Sequence, residues 1–136
     1  MARVLHVFLK YPHAIGGHEI FVARLAETLA AGSDHEVSVV TSDLARHSDP
    51  MVRLDGAHRV VRGIPVRRLP VTADATPRRL ELAGLREAIL EEKPDLVHAH
   101  AVWTRPCEVA IECARELDVP LLDIHVYLKW IKFSVK

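Results

Sequence analysis

Val4-Leu5-His6-Val7-Phe8-Leu9, closed by Tyr11-Pro12 and followed by Gly16-Gly17, is the stretch that decides the fold. So short an apolar run ending in a turn fits a strand buried on both faces of a parallel sheet. Beyond the glycine pair, Phe21, Val22, Leu25, Ala26 and Leu29 recur at helical spacing with Arg24, Glu27 and Thr28 opposite, and Gly32 stops the segment. A strand, a glycine-bearing turn and a helix form the first unit of an alternating α/β domain.

The same alternation continues outward. Glu36 to Thr41 is β-branched and short, a second strand. From Ser42 to about Gly63 the sequence is polar and reads as a long surface loop, with a short extended piece at Arg59-Val60-Val61. Ile64 to Leu69 supplies a third strand, placed near the sheet edge by Arg67 and Arg68. Pro77 opens a helix with the stripe Leu82, Leu85, Ala88 and Ile89, which must end before Pro94 because the residue preceding a proline avoids helical angles.

Asp95 to Ala99 is the fourth strand. Thr104 is placed to cap a helix whose stripe is Cys107, Ala110, Ile111, Ala114 and Leu117, and Leu121 to His125 is the fifth strand. Short connections between alternating elements give right-handed crossovers. The expected fold class is α/β, a Rossmann-like three-layer domain with a mostly parallel sheet in the order 3-2-1-4-5, occupying residues 1–136 as one domain.

Composition bounds the function. The chain has 136 residues, enough for one core, and its 18 Lys and Arg balance its 18 Asp and Glu. No global field therefore draws it to nucleic acid, and no nucleic-acid partner is expected. The cluster Arg59, Arg62, Arg67, Arg68, Arg78 and Arg79 reads as solvated surface charge. Cys107 and Cys113, six apart on one helix, do not face each other, so no disulfide is expected. The first residues do not form a signal peptide and no apolar run reaches membrane length, which makes the cytoplasm the default location. Trp130, Ile131 and Phe133 among Lys129, Lys132 and Lys136 offer a weak peripheral membrane contact; an exposed end is the plainer reading.

Ligands of open α/β sheets collect beyond the carboxyl ends of the strands where the strand order reverses, here between the first and fourth strands. Two segments fall there: Gly16-Gly17-His18-Glu19 and Asp95-Leu96-Val97-His98-Ala99-His100. Glycines at a helix start admit a ligand to free backbone amides, which with the helix dipole favour phosphate, although the pair also serves as a simple tight turn. The full G-x-G-x-x-G pattern is absent. His98, inside the strand, reads as a buried imidazole satisfied by a carbonyl, whereas His100, at its end, is placed both to donate to a sugar hydroxyl and to shuttle a proton near neutral pH; His125 ends the fifth strand analogously. A metal is not expected: there is no C-x-x-C pair or H-E-x-x-H helix, and His98 with His100 would need partners from distant sequence. A nucleophilic Cys107 is disfavoured because it lies on an apolar stripe.

Taken in order, Arg3-Val4-Leu5-His6-Val7, Gly16-Gly17-His18-Glu19, Leu25-Ala26-Glu27-Thr28-Leu29, His35-Glu36-Val37-Ser38-Val39-Val40-Thr41, Gly63-Ile64-Pro65-Val66-Arg67-Arg68-Leu69, Pro94-Asp95-Leu96-Val97-His98-Ala99-His100 and Val119-Pro120-Leu121 resemble the N-terminal, acceptor-side domain of GT-B glycosyltransferases of family 4, also called group 1. The resemblance implies one half of a GT-B fold and a retaining transfer of sugar from a nucleotide-diphosphate-sugar to a sugar or lipid-linked acceptor. It implies Gly16 and Gly17 against the phosphates, His100 as the catalytic positioning residue, and neither an obligatory metal nor a cofactor beyond the nucleotide-sugar co-substrate; His18, next to the glycine pair, and His125, at the end of the fifth strand, complete the candidate substrate- and phosphate-binding set by position.

In that family the donor nucleotide is held by a second Rossmann domain with an E-x7-E motif. Glu19 with Glu27 and Glu108 with Glu116 have that spacing, but both pairs fall on helices of the first half and read as solvated charges. A donor-binding domain or subunit is therefore the expected partner, and the chain alone, from a truncated or split enzyme, is expected to be inactive. Two other classes fit the same residues: a non-catalytic glycan- or partner-binding module, and another small Rossmann-like nucleotide enzyme.

Overall fold

The computed structural model describes residues 1–12, 17–44, 54, 56–71, 79–101 and 104–124. Nine elements follow in chain order within them: β1 (Arg3–Val7), α1 (Gly17–Gly32), β2 (Glu36–Ser42), β3 (His58–Val61), β4 (Ile64–Leu69), α2 (Leu85–Glu92), β5 (Leu96–His100), α3 (Arg105–Leu117) and β6 (Leu121–Ile124). The strands form one sheet in the order β3-β4-β2-β1-β5-β6. Every neighbouring pair is parallel except β3 with β4. This is the expected Rossmann-like α/β domain, with the order reversing between β1 and β5.

The central position of β1 follows from its residues. Leu5 and Val7 are fully buried on one face and His6 on the other, so neither face meets water. Register puts His6 opposite Val39 of β2 and His98 of β5. Directly paired residues of parallel strands point to the same side of a sheet, so His6 and His98 share a face, joined two residues on by His100.

Helix α1 buries Glu19, Val22, Ala23 and Ala26, a repeat of three and four. That stripe is rotated from the expected one and leaves Phe21 45% exposed. The Ser33 hydroxyl donates to the Leu29 carbonyl just beyond Gly32 and closes the helix end.

Three further expectations are corrected. Leu82 is not helical: it bridges to Val71, Gly84 takes a left-handed φ of 72°, and α2 starts only at Leu85. An apolar residue at helical spacing is here equally buried as a bridge residue, and the left-handed glycine breaks the run. Pro77 lies outside the described residues. At the other end Lys93 is left-handed, its N–H reaching Leu90 O, and α2 stops before Pro94.

β4 is not the edge. The extended piece foreseen at Arg59–Val61 pairs with it antiparallel as β3 and takes the edge itself. Arg68 is also no solvated charge, for it is 4% exposed. A guanidinium is tolerated there because Tyr11 O at 3.2 Å, Ser42 O at 3.5 Å and Pro12 O all accept from it.

Thr104 holds the N-cap position of α3, but its hydroxyl donates to Ala101 O at 2.8 Å instead of accepting from the helix. Cys107 and Cys113 are both buried and free. Among the described residues no helix is long and apolar enough to cross a membrane.

Candidate functional site

The carboxyl ends of β1 and β5 flank the reversal of strand order, and α1 and α3 each start from that end. Two helix N-termini therefore bring unpaired backbone N–H groups and positive partial charge to one place. On the α1 side, Gly17 opens the helix, is exposed, and has no atom within 4 Å of where a Cβ would stand. On the α3 side, Ala101 takes a φ of 67°, and its carbonyl accepts from both the Thr104 hydroxyl and the Thr104 N–H. That turn delivers the chain from β5 into α3 within a few residues.

The connection out of β1 is held from two sides. Lys10 Nζ lies 3.0 Å from Glu19 Oε1, with both side chains about 5% exposed, so the end of β1 is tied to the first turn of α1. Glu19 was expected to be solvated; burial beside Lys10 makes it a structural charge, neutralised by its partner. From below, Arg68 gathers the Tyr11 and Pro12 carbonyls. Glu108 and Glu116 are the solvated charges that were expected, 58% and 48% exposed in surface ion pairs with Arg105 at 3.0 Å and with Arg86.

Four histidines meet beside this connection. His6 Nδ1 and His100 Nε2 are 3.0 Å apart, and the His98 ring stacks on His100 at 4.1 Å between centroids and lies 4.9 Å from His6. His18 lies against Phe8 at 4.3 Å and edge-on to His100 at 6.3 Å. His6, His98 and His100 are 0%, 4% and 1% exposed, and His18 is half-buried.

Burial governs their charge. Desolvation lowers His6 to about 4, and lowers His98 to about 3 with help from His6. His100 is pushed well below the usual range by desolvation, then by His98, His6 and His18. His18 is lowered by desolvation, which outweighs the opposing pull of Glu19. All four are neutral near pH 7, so His100 offers a hydrogen-bond donor and acceptor there and no charge. The Cys107 thiol is pushed up to about 12 by burial and by the charges of Asp123 and Glu108, which leaves it un-ionised and unsuited to nucleophilic attack.

The structure thus brings together three of the residues singled out in the sequence, Gly17, His18 and His100. Gly16 and His125 lie outside the described residues, as do Trp130, Ile131 and Phe133. His98 differs from expectation: its Nε2 has no hydrogen-bond partner, and its neighbours are imidazoles. Sequence reading missed His6, Lys10 and Arg68. A histidine inside the apolar run Val4-Leu5-His6-Val7 is the one signal that marked the first.

No curated protein sequence matches the chain. Among solved structures, sucrose-phosphate synthase from Thermosynechococcus elongatus superposes with a TM-score of 0.62 at 17% identity, over 90% of this chain and 32% of that one. Such identity carries the fold alone, and the chain spans about a third of that protein's length. The glycosyl transferase 4-like domain matches residues 16–130, from the glycine turn through every later element. With the alternating sheet, its order and that match in agreement, the chain belongs to the glycosyl transferase 4-like domain family.

Proposed function

We propose that this domain is the acceptor-side half of a retaining glycosyltransferase, which moves a sugar from a nucleotide-diphosphate-sugar to a sugar or lipid-linked acceptor. The observation that carries the reading is the meeting of the α1 N-terminus at Gly17 with His100 where the strand order reverses. Departing diphosphate is an anion, and backbone N–H groups at the start of α1 are suited to take up its charge. Gly17 lets the phosphates approach them closely because nothing stands where a side chain would begin.

His100, neutral and fixed against His6, aligns a sugar or acceptor hydroxyl by hydrogen bonding rather than by charge. His18, edge-on to His100 at 6.3 Å, adds a second neutral imidazole beside the same ligand position. The nucleotide itself is held by a second, donor-binding Rossmann domain that closes the cleft from the other side, in keeping with the third of sucrose-phosphate synthase that this chain spans. No cofactor besides the nucleotide-sugar co-substrate enters this scheme, and the reaction takes place in the cytoplasm.

The test is turnover of nucleotide-sugars by the pure chain and by the chain joined to a donor-binding GT-B domain. Transfer with retained anomeric configuration, read by NMR, is expected only from the joined protein and falls in His100→Ala. Turnover by the pure chain at ordinary enzyme rates would show that the half-site reading is wrong.

A further inference from the structure

The objection raised by the sequence to a metal was that His98 and His100 would need a partner from far along the chain. Topology supplies one. β1 and β5 are neighbours despite a separation of about ninety residues, and register sets His6 directly opposite His98. A residue spacing of two puts His98 and His100 on the same face of β5. Three imidazoles from two adjacent strands therefore converge, and one nitrogen from each can be chosen so that all lie within 4.8 Å of one another.

The hydrogen-bond inventory of these rings is poor. His6 Nδ1 and His100 Nε2 have each other, while His6 Nε2, His98 Nε2 and His100 Nδ1 are buried with no partner. Each orphaned buried nitrogen costs about 1–3 kcal/mol, and three in one place is more than a core normally carries. The His6 Nδ1–His100 Nε2 hydrogen bond of 3.0 Å leaves one of the two nitrogens protonated, and moving that proton to the other nitrogen of its ring frees both lone pairs for an ion. Two imidazole nitrogens on one tetrahedral zinc, with bonds of about 2.0–2.1 Å, stand about 3.3 Å apart. At 3.0 Å the two nitrogens are at hydrogen-bond distance and only about 0.3 Å short of the spacing of two ligands on one ion.

We propose that His6, His98 and His100 form a binding site for a zinc-class divalent transition-metal ion, with the fourth coordination position open. All-imidazole donor sets suit zinc, copper, nickel and iron and do not suit magnesium or calcium. Each ring gives one lone pair and keeps its single proton on the other nitrogen, so no proton need be released. The widest gap in the set closes by about 1.5 Å on binding, a movement within reach of side-chain rotation. The ion lies at the same end of the sheet as Gly17 but supplies nothing to the reaction of the glycosyltransferase reading. The metal site does not depend on that reading, since it rests on the three rings alone.

The experiment uses the untagged chain, stripped with chelator and titrated with Co2+ and with Zn2+. One equivalent of Co2+ is expected to give the visible bands of a tetrahedral site with three nitrogen ligands and one water and to shift three imidazole N–H resonances in the wild-type spectrum. In His6→Gln and His98→Gln, with fold checked by circular dichroism, affinity falls by more than about 100-fold, beyond the loss expected for an outer-shell partner. His58→Ala, which alters an exposed histidine on the edge strand, leaves binding unchanged. Absence of stoichiometric binding overturns the proposal, and so does binding that survives both His6→Gln and His98→Gln.

Discussion

Lys10 Nζ and Glu19 Oε1 meet at 3.0 Å in a pocket where neither side chain is more than 5% exposed. The pair spans the connection from β1 to α1, so whatever geometry the glycine turn offers a ligand is anchored by it. Removing one partner strands a buried charge, which costs about 3–5 kcal/mol. Glu19→Gln is expected to lower stability to urea by that amount, and Lys10→Met combined with Glu19→Leu to recover most of it.

Arg68 is the second anchor. Arg68→Met leaves three buried carbonyls, those of Tyr11, Pro12 and Ser42, without this donor. A loss of about 2–4 kcal/mol is expected in chemical denaturation. Arg68→Lys recovers only part of it, because an ammonium does not reproduce the planar fork of the guanidinium.

Gly17 separates fold from ligand. Its position is open and its φ is not left-handed, so Gly17→Val is expected to change stability by less than about 1 kcal/mol. In the protein joined to a donor-binding domain, the same change weakens nucleotide-sugar binding by about 10-fold, since a side chain keeps the phosphates from the amides. Parallel unfolding curves and binding titrations check both halves of this expectation.

The buried histidines give the metal-free chain a distinct acid response. Their folded pKa values lie below the ordinary 6.5, about 4 for His6 and about 3 for His98. The unfolded chain therefore binds more protons than the folded one between those values and 6.5. Stability is fully present above pH 6.5 and is lost as the pH falls toward 4, by up to about 1.4 kcal/mol per unit for each such ring. With chelator present, urea midpoints from pH 8 to 4 are expected to be level above 6.5 and to drop below it. The drop is shallower in His98→Leu.

The sheet order was legible because it depends on apolar runs and short connections, which Val4–Leu9, Glu36–Thr41 and Leu121 onward state locally. Gly17 and His100 were legible for the same reason, as each ends a local pattern. Arg68 was misplaced because its sequence neighbourhood cannot report the Tyr11 and Pro12 carbonyls, more than fifty residues away. Leu82 was misplaced because burial at helical spacing does not distinguish a helix from a bridge to Val71. His6 escaped notice because its meaning depends on the register that sets it directly opposite His98, which the order of the strands does not give.

Backbone amide NMR of the chain during titration with nucleotide-diphosphate-sugars tests the central claim most directly. Saturable shifts concentrated at Gly17, His18, His100 and Ala101, abolished by Gly17→Val, are the predicted result. Shifts confined to the opposite end of the sheet, around Arg3, Glu36 and Gly63, would contradict it.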